Sequence, residues 1–68
     1  MGRVFNTIDL TGVSADGWSE AARSALAEAS KTIRGISKME IMETRAIVED
    51  GTVVEYHTDV RIFFEVER

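Results

Sequence analysis

The C-terminal part of the chain alternates apolar and polar residues with a period of two. One parity is almost entirely apolar or β-branched, and the other is mostly polar. Because successive side chains point to opposite faces of a strand, this pattern predicts a long strand buried on one face only. The buried parity comprises Val54, Tyr56, Thr58, Val60, Ile62, Phe64 and Val66.

A turn separates this strand from a second extended stretch. Asp50 and Gly51 lie between the two runs, and Asp-Gly favours a tight turn because Gly adopts positive φ at little cost. The sequence therefore predicts a hairpin over about residues 37–66. In its first arm the core parity begins at Met39 and Ile41 and then drifts, which indicates a bulge or a change of environment midway.

Upstream of the hairpin the period changes to that of a helix. Apolar residues recur at spacings of three and four, which places them on one helix face. We expect Ser14 to cap the start of this helix and Gly35 to end it. The expected buried face is mainly Ala and comprises Trp18, Ala21, Ala22, Ala25, Leu26, Ala29 and Ile33.

A shorter extended stretch precedes the helix. Val4, Ile8 and Leu10 share one parity within residues 3–11, and we expect Gly12 to break this strand. The element order is β-α-β-β, which predicts an α+β fold with a three-stranded antiparallel sheet curled around one helix. One helix covers only one face of such a sheet, so we expect the other face to contact another subunit.

The size of the chain limits its stability as a monomer. Its 68 residues predict a single domain over residues 1–68. A domain of this size buries only about 60% of its unfolded surface, and no Cys is present for a disulfide or a thiolate metal site. We therefore expect self-association to complete the small core.

Charge and hydropathy exclude several classes of partner. Twelve acidic and 8 basic residues give a net charge of −4, which argues against a nucleic-acid partner. No apolar run is long enough to cross a bilayer and no signal-peptide pattern is present, so we expect no membrane partner and a cytoplasmic location.

No arrangement of residues predicts catalysis. The only His, His57, has no nucleophile signature near it, and the chain has no Gly-rich phosphate loop. We therefore expect a binding protein that is not an enzyme.

Several short stretches matter when they are taken together in this order. They are Thr11-Gly12-Val13-Ser14, an Ala-rich helix ending in Lys31-Thr32-Ile33-Arg34, Glu40-Ile41 followed by Arg45, Glu55-Tyr56-His57 and Phe64-Glu65-Val66. Together they resemble the dodecin family over nearly the whole chain. The resemblance implies a small flavin-associated protein that assembles as a homododecamer and forms a hollow shell.

Two positions depart from the flavin-binding members of this family. Those members carry a Trp in the second strand that stacks on flavin, and a Gln that hydrogen-bonds the edge of the flavin ring. Lys38 stands at the Trp position and His57 at the Gln position. Loss of the stacked rings and their buried area would weaken flavin binding by a few kcal/mol, about a hundredfold or more. The resemblance therefore implies storage or sequestration of FMN or riboflavin with altered affinity.

The candidate ligand-binding residues are Lys38, Glu43, Arg45 and His57. Lys38 and Arg45 suit a phosphate group, which favours FMN over riboflavin, and His57 suits a hydrogen bond to a ring edge. Lys38, Arg45 and His57 each have a structural alternative: a solvated lysine at a strand start, an ion pair of Arg45 with Glu43, Asp59 or Glu55, and a histidine at a subunit contact.

A second hypothesis is an assembly without flavin that holds cations, holds another ligand, or is purely structural. Glu43, together with Glu40, Glu55 and Asp59, offers oxygen ligands of the kind that Ca²⁺ and Mg²⁺ prefer. The spacing is not that of an EF-hand, so the metal site itself stays unidentified. The alternative is a solvated acidic face.

Overall fold

A computed structural model describes residues 2–66, which form three strands and one helix. The strands lie in one antiparallel sheet in the order β1-β3-β2, so β3 is central. The predicted β-α-β-β fold is confirmed, while the predicted domain of residues 1–68 extends past the described part at both ends. The elements are β1 Phe5–Ser14, α1 Trp18–Ser30, β2 Ile36–Glu49 and β3 Thr52–Glu65.

The hairpin of β2 and β3 turns where the sequence predicts. Asp50 and Gly51 have φ of 50° and 74°, so both occupy the left-handed region that a tight two-residue turn requires. The predicted bulge is confirmed by a register shift between Ile41 and Glu43. Two further shifts lie near the ends of β2, so this strand changes its pairing repeatedly along the hairpin.

The core lies between the helix and the central strand. The even-numbered residues of β3 face the helix, as the alternation predicts, and the hydroxyl of Thr58 donates a 2.9 Å hydrogen bond to the Trp18 carbonyl. Alanines supply most of the helix surface in this core, and each buries little area. The buried residues of the helix and the central strand are Ala21, Ala22, Ala25, Ala29, Thr58, Val60 and Ile62.

Gly12 does not break β1, and this expectation was wrong. The strand continues through Gly12 to Ser14, and Gly12 is buried against the helix. A Cβ at this position would collide with the carbonyl oxygen of Ala21. Gly12 is therefore a point of close approach between β1 and α1, not a terminator.

The start of the helix also differs from the expectation. Gly17 occupies the N-cap position, and α1 begins at Trp18. Ser14 instead ends β1, where its Oγ accepts a 3.0 Å hydrogen bond from the backbone N–H of Asp16. Ser14 thus stabilises the link between strand and helix.

The helix ends earlier than Gly35. Its last residue is Ser30, and the N–H groups of Thr32 and Ile33 donate hydrogen bonds to the Ala29 carbonyl. Gly35 has φ of 78°, and its carbonyl accepts a 3.0 Å hydrogen bond from Glu65 of β3. Gly35 therefore leads the chain into β2. No helix within residues 2–66 is long and apolar enough to cross a membrane.

A groove opens beside the helix because α1 packs on β1 and β3 and hardly contacts β2. Trp18 lies at this groove and is 45% exposed, so its expected place in the core is wrong for the single chain. Its indole packs edge-on against the Tyr56 ring, with 5.0 Å between the two ring centroids. The indole N–H donates a hydrogen bond to the Arg45 carbonyl. The groove encloses ≈ 300 Å³, and its lining includes Trp18, Ala22, Met39, Ile41 and Thr44.

Candidate functional site on the outer face of the sheet

The sheet face opposite the helix, here called the outer face, carries most of the polar side chains of the strands. It contains the odd-numbered residues of β3 together with their partners on β1 and β2. All four candidate ligand-binding residues belong to this face. Its members on β3 are Val53, Glu55, His57, Asp59, Arg61, Phe63 and Glu65.

Asp59 is the centre of the polar network on this face. Arg45 donates two hydrogen bonds to its carboxylate, at 2.9 Å and 2.8 Å, and Thr11 donates one at 2.7 Å. The bonds from Arg45 and then from Thr11 lower the pKa of the Asp59 carboxyl from 3.8 to about 2. One carboxylate thus joins all three strands.

Arg45 is held by acidic groups in the single chain. Asp59 occupies its planar fork, and Glu43 accepts a longer hydrogen bond of 3.4 Å. These interactions raise the pKa of the Arg45 guanidinium, chiefly through the hydrogen bonds to Asp59. The ion pair that the sequence left open as an alternative is therefore present.

His57 lies directly opposite Arg45 in the register of β2 and β3, with Val13 of β1 on its other side. Its Nε2 is 3.1 Å from a carboxylate oxygen of Glu55. His57 is half-buried, while its acidic partner is more exposed. The imidazole therefore keeps an accessible edge next to a cation and a carboxylate.

Lys38 lies at the other end of the outer face. Phe63 is its partner in the register, and the ammonium of Lys38 sits 4.1 Å from the centroid of the Phe63 ring. Phe63 lies six positions after His57 in β3, which corresponds to about 20 Å along the strand. The single chain therefore brings Glu43, Arg45 and His57 together and places Lys38 far from them.

Two further arginines of this region also meet carboxylates. Arg61 pairs with Asp9 through bonds of 2.9 Å and 3.1 Å, and Arg3 pairs with Glu65 through bonds of 2.7 Å and 3.0 Å. The hydrogen bonds from these arginines lower the pKa of both carboxyls. Both pairs are exposed, so each contributes little to folding stability.

Comparison with known proteins connects this geometry to one family. The family model described as Dodecin matches residues 4–67. The chain belongs to the dodecin family.

Relatives of the chain share both its length and its fold. The dodecin of Thermus thermophilus is 34% identical over 67 residues, which cover 98% of this chain and 97% of that protein. The crystal structure of an Arg→Ala variant of the T. thermophilus dodecin matches with a TM-score of 0.93 at 31% identity, covering 98% of this chain and all of the other.

A calcium-chelating dodecin of Mycobacterium tuberculosis is a more distant structural neighbour. It matches with a TM-score of 0.82 at 23% identity, over 94% of this chain and 91% of that one. At this identity the likeness shows the dodecin fold alone. In the part of this chain that the structure describes, no three His, Cys, Asp or Glu side chains form a group suited to a metal ion.

Two residues of the outer face were missed as candidates by sequence reasoning. In the sequence, Thr11 stands at the end of the first extended stretch and in a dodecin-like stretch, and Phe63 is an apolar residue on the mostly polar parity of the last strand. Their positions follow from register: Thr11 is paired with Asp59, and Phe63 with Lys38. Parity along one strand indicates the face of a residue, but only the pairing identifies its neighbours.

Proposed function

We propose that this dodecin-family chain forms a homo-oligomeric shell, a dodecamer by family resemblance, that binds flavin between its copies. The observation that carries the proposal is the arrangement of the outer face, where Arg45 is paired with His57 at one end and Lys38 with Phe63 at the other. These pairs combine cationic, hydrogen-bonding and aromatic groups, which suit a flat ring with polar edges and an anionic tail. The shell would store or sequester this ligand without catalysing a reaction.

The apolar surface of the single chain supports self-association. The helix leaves the groove beside β2 open, and large hydrophobic side chains are exposed on all three strands and at the start of the helix. Exposed apolar side chains around an open apolar groove favour contact with another copy of the chain. The exposed hydrophobic residues are Val4, Phe5, Val13, Trp18, Ile41, Met42, Val48, Val53, Val54 and Val66.

The spacing of the candidate residues also favours a site shared between copies. Lys38 and His57 lie about 20 Å apart along one sheet, which is farther than the ring system of a flavin extends. They can reach the same ring only when they come from different copies. Self-association is therefore part of the binding proposal.

The same contacts indicate which residues would set the affinity of the shell for FMN and for riboflavin. Arg45 is engaged by Asp59, so recognition of a phosphate would depend mainly on Lys38. A point charge on an exposed stem gives an attraction that salt screens. We therefore propose tighter binding of FMN than of riboflavin at low ionic strength, with a difference that shrinks as salt is added.

Fluorescence titration of the assembled protein tests this function. FMN and riboflavin are titrated at low and at high salt, and quenching of flavin emission reports binding. The proposal expects saturable binding of both, with FMN tighter at low salt only. Equal affinities at low salt would contradict the role of Lys38, and no binding of either flavin would contradict the function.

A cation-holding assembly is the second candidate. Glu43 favours it, because this carboxylate is 75% exposed and, within residues 2–66, makes only one long hydrogen bond, to Arg45. A Ca²⁺ or Mg²⁺ site would need such carboxylates from several copies. A rise in melting temperature with CaCl₂ that EDTA reverses would support this candidate. The cytoplasmic location remains a prediction from sequence.

A further inference from the structure

Lys38 differs from the other cations of the outer face in the chemical group that lies next to its charge. Arg3, Arg45 and Arg61 each form two hydrogen bonds with a carboxylate. Lys38 forms no ion pair within residues 2–66, and its ammonium lies over the ring of Phe63 instead. Its charge is therefore available to an external anion, while the charges of the three arginines are already compensated.

Phe63 provides a flat apolar surface next to that charge. Its ring is half-buried on the central strand, between Lys38 of β2 and Thr7 of β1 in the register. An ammonium over a ring at an exposed site is held there by a weak attraction only. Stacking of a second aromatic ring gives an attraction of at least similar size and also buries apolar area. A ligand ring can therefore replace the ammonium over Phe63 without net loss.

We propose that Phe63 and Lys38 form one binding site for a planar aromatic ligand that carries an anionic group. The ligand ring stacks on Phe63, and the ammonium of Lys38 swings from the Phe63 ring to the anion. The lysine stem is long enough to make this movement while its backbone stays in β2. The inference deepens the proposed function, because it moves the stacking surface to β3, across from the position where flavin-binding relatives carry Trp.

Two substitutions test the role of the Phe63 ring and the role of the Lys38 charge separately. In the assembled protein, Phe63→Leu should weaken FMN and riboflavin alike, by up to roughly tenfold. Lys38→Met should weaken FMN at low salt and leave riboflavin unchanged or tighter. Phe5→Leu and Lys31→Met are the matched controls, since Phe5 lies under Arg3 and Lys31 pairs with Glu28 on the helix.

Probes without a flavin ring distinguish this inference from the proposed function. 1-Naphthyl phosphate supplies a flat ring with an anion, and inorganic phosphate supplies the anion alone. Binding of naphthyl phosphate that Phe63→Leu weakens, in a protein that ignores both flavins, would support the site and reject the flavin function. FMN binding that neither Phe63→Leu nor Lys38→Met changes would overturn the site and leave the flavin function standing.

The remaining outcomes also decide the question. If the wild-type shell binds none of the ring-bearing probes, both the site and the flavin function are rejected. If Phe63→Leu does not assemble, as judged by size-exclusion chromatography, the test rests on Lys38→Met. Loss of the difference between FMN and riboflavin at low salt in that variant supports the site, and persistence of the difference overturns it.

Discussion

Arg45 and Asp59 join β2 to β3 on the outer face through two hydrogen bonds of 2.9 Å and 2.8 Å. Thr11 of β1 adds a third bond to the same carboxylate. A residue that the family resemblance presents as a ligand candidate is therefore also part of the support of the sheet. Substitution of Arg45 would change folding stability whether or not Arg45 binds a ligand, so Lys38 and His57 are the better positions at which to test binding.

The Asp59 carboxylate makes stability depend on pH in the acid range. The pKa of Asp59 is lowered to about 2 in the folded chain. The contribution of this carboxylate to the free energy of unfolding is therefore complete above the ordinary Asp value of 3.8 and is lost as the pH falls towards 2. We predict that Asp59→Asn destabilises the protein at pH 5 and that the difference from wild type shrinks by pH 2. Urea unfolding at several pH values measures this difference.

The matched control for this prediction is Asp16→Asn. Asp16 is exposed at the link between β1 and α1, and its side chain forms no ion pair within residues 2–66. Its substitution should change the free energy of unfolding little at any pH. A destabilisation by Asp59→Asn that stays the same from pH 5 to pH 2 would show that the ion pair is not its cause.

Gly12 should not tolerate a methyl group. A Cβ at this position meets the Ala21 carbonyl, so Gly12→Ala must push the helix away from β1. We predict a loss of about 1–3 kcal/mol in the free energy of unfolding, as for other overpacked sites. The control is Gly2→Ala, since nothing lies within 4 Å of a Cβ at Gly2. Equal midpoints of urea unfolding for the two variants would contradict the close approach.

Trp18 should report assembly. In the single chain it is 45% exposed at the open groove, and the proposed shell would cover that groove with another copy. We predict that Trp18 emission shifts to longer wavelength when the shell dissociates on dilution or in mild urea. Light scattering gives the mass of the same samples. Identical emission from assembled and dissociated protein would mean that the groove stays open in the shell.

The elements of the fold that could be predicted from sequence are those with a strong local signal. The long alternation of β3 identifies its buried face, since Val60 and Ile62 are fully buried, and Asp50-Gly51 identifies the turn. The Ala-rich helix face is also confirmed. In each case the signal comes from the residues of one element, so no knowledge of neighbouring elements is needed.

The failures lie where tertiary contacts override a local rule. The local rule predicts that Gly12 breaks the strand, but the narrow space between β1 and the helix leaves no room for a Cβ and so requires Gly there. Ser14 reads as a helix cap, but it ends the strand that pairs with β3. The contact of Lys38 with Phe63 depends on a register that bulges shift, and a sequence does not reveal that register.

The visible absorbance of the freshly purified protein tests the central proposal most directly. The sample is run without added cofactor through size-exclusion chromatography with light scattering. We predict a dodecamer with flavin absorbance in the same peak, or a colourless dodecamer that acquires it when FMN is added. A colourless assembly that binds neither FMN nor riboflavin would contradict the flavin proposal and favour the cation-holding or purely structural alternative.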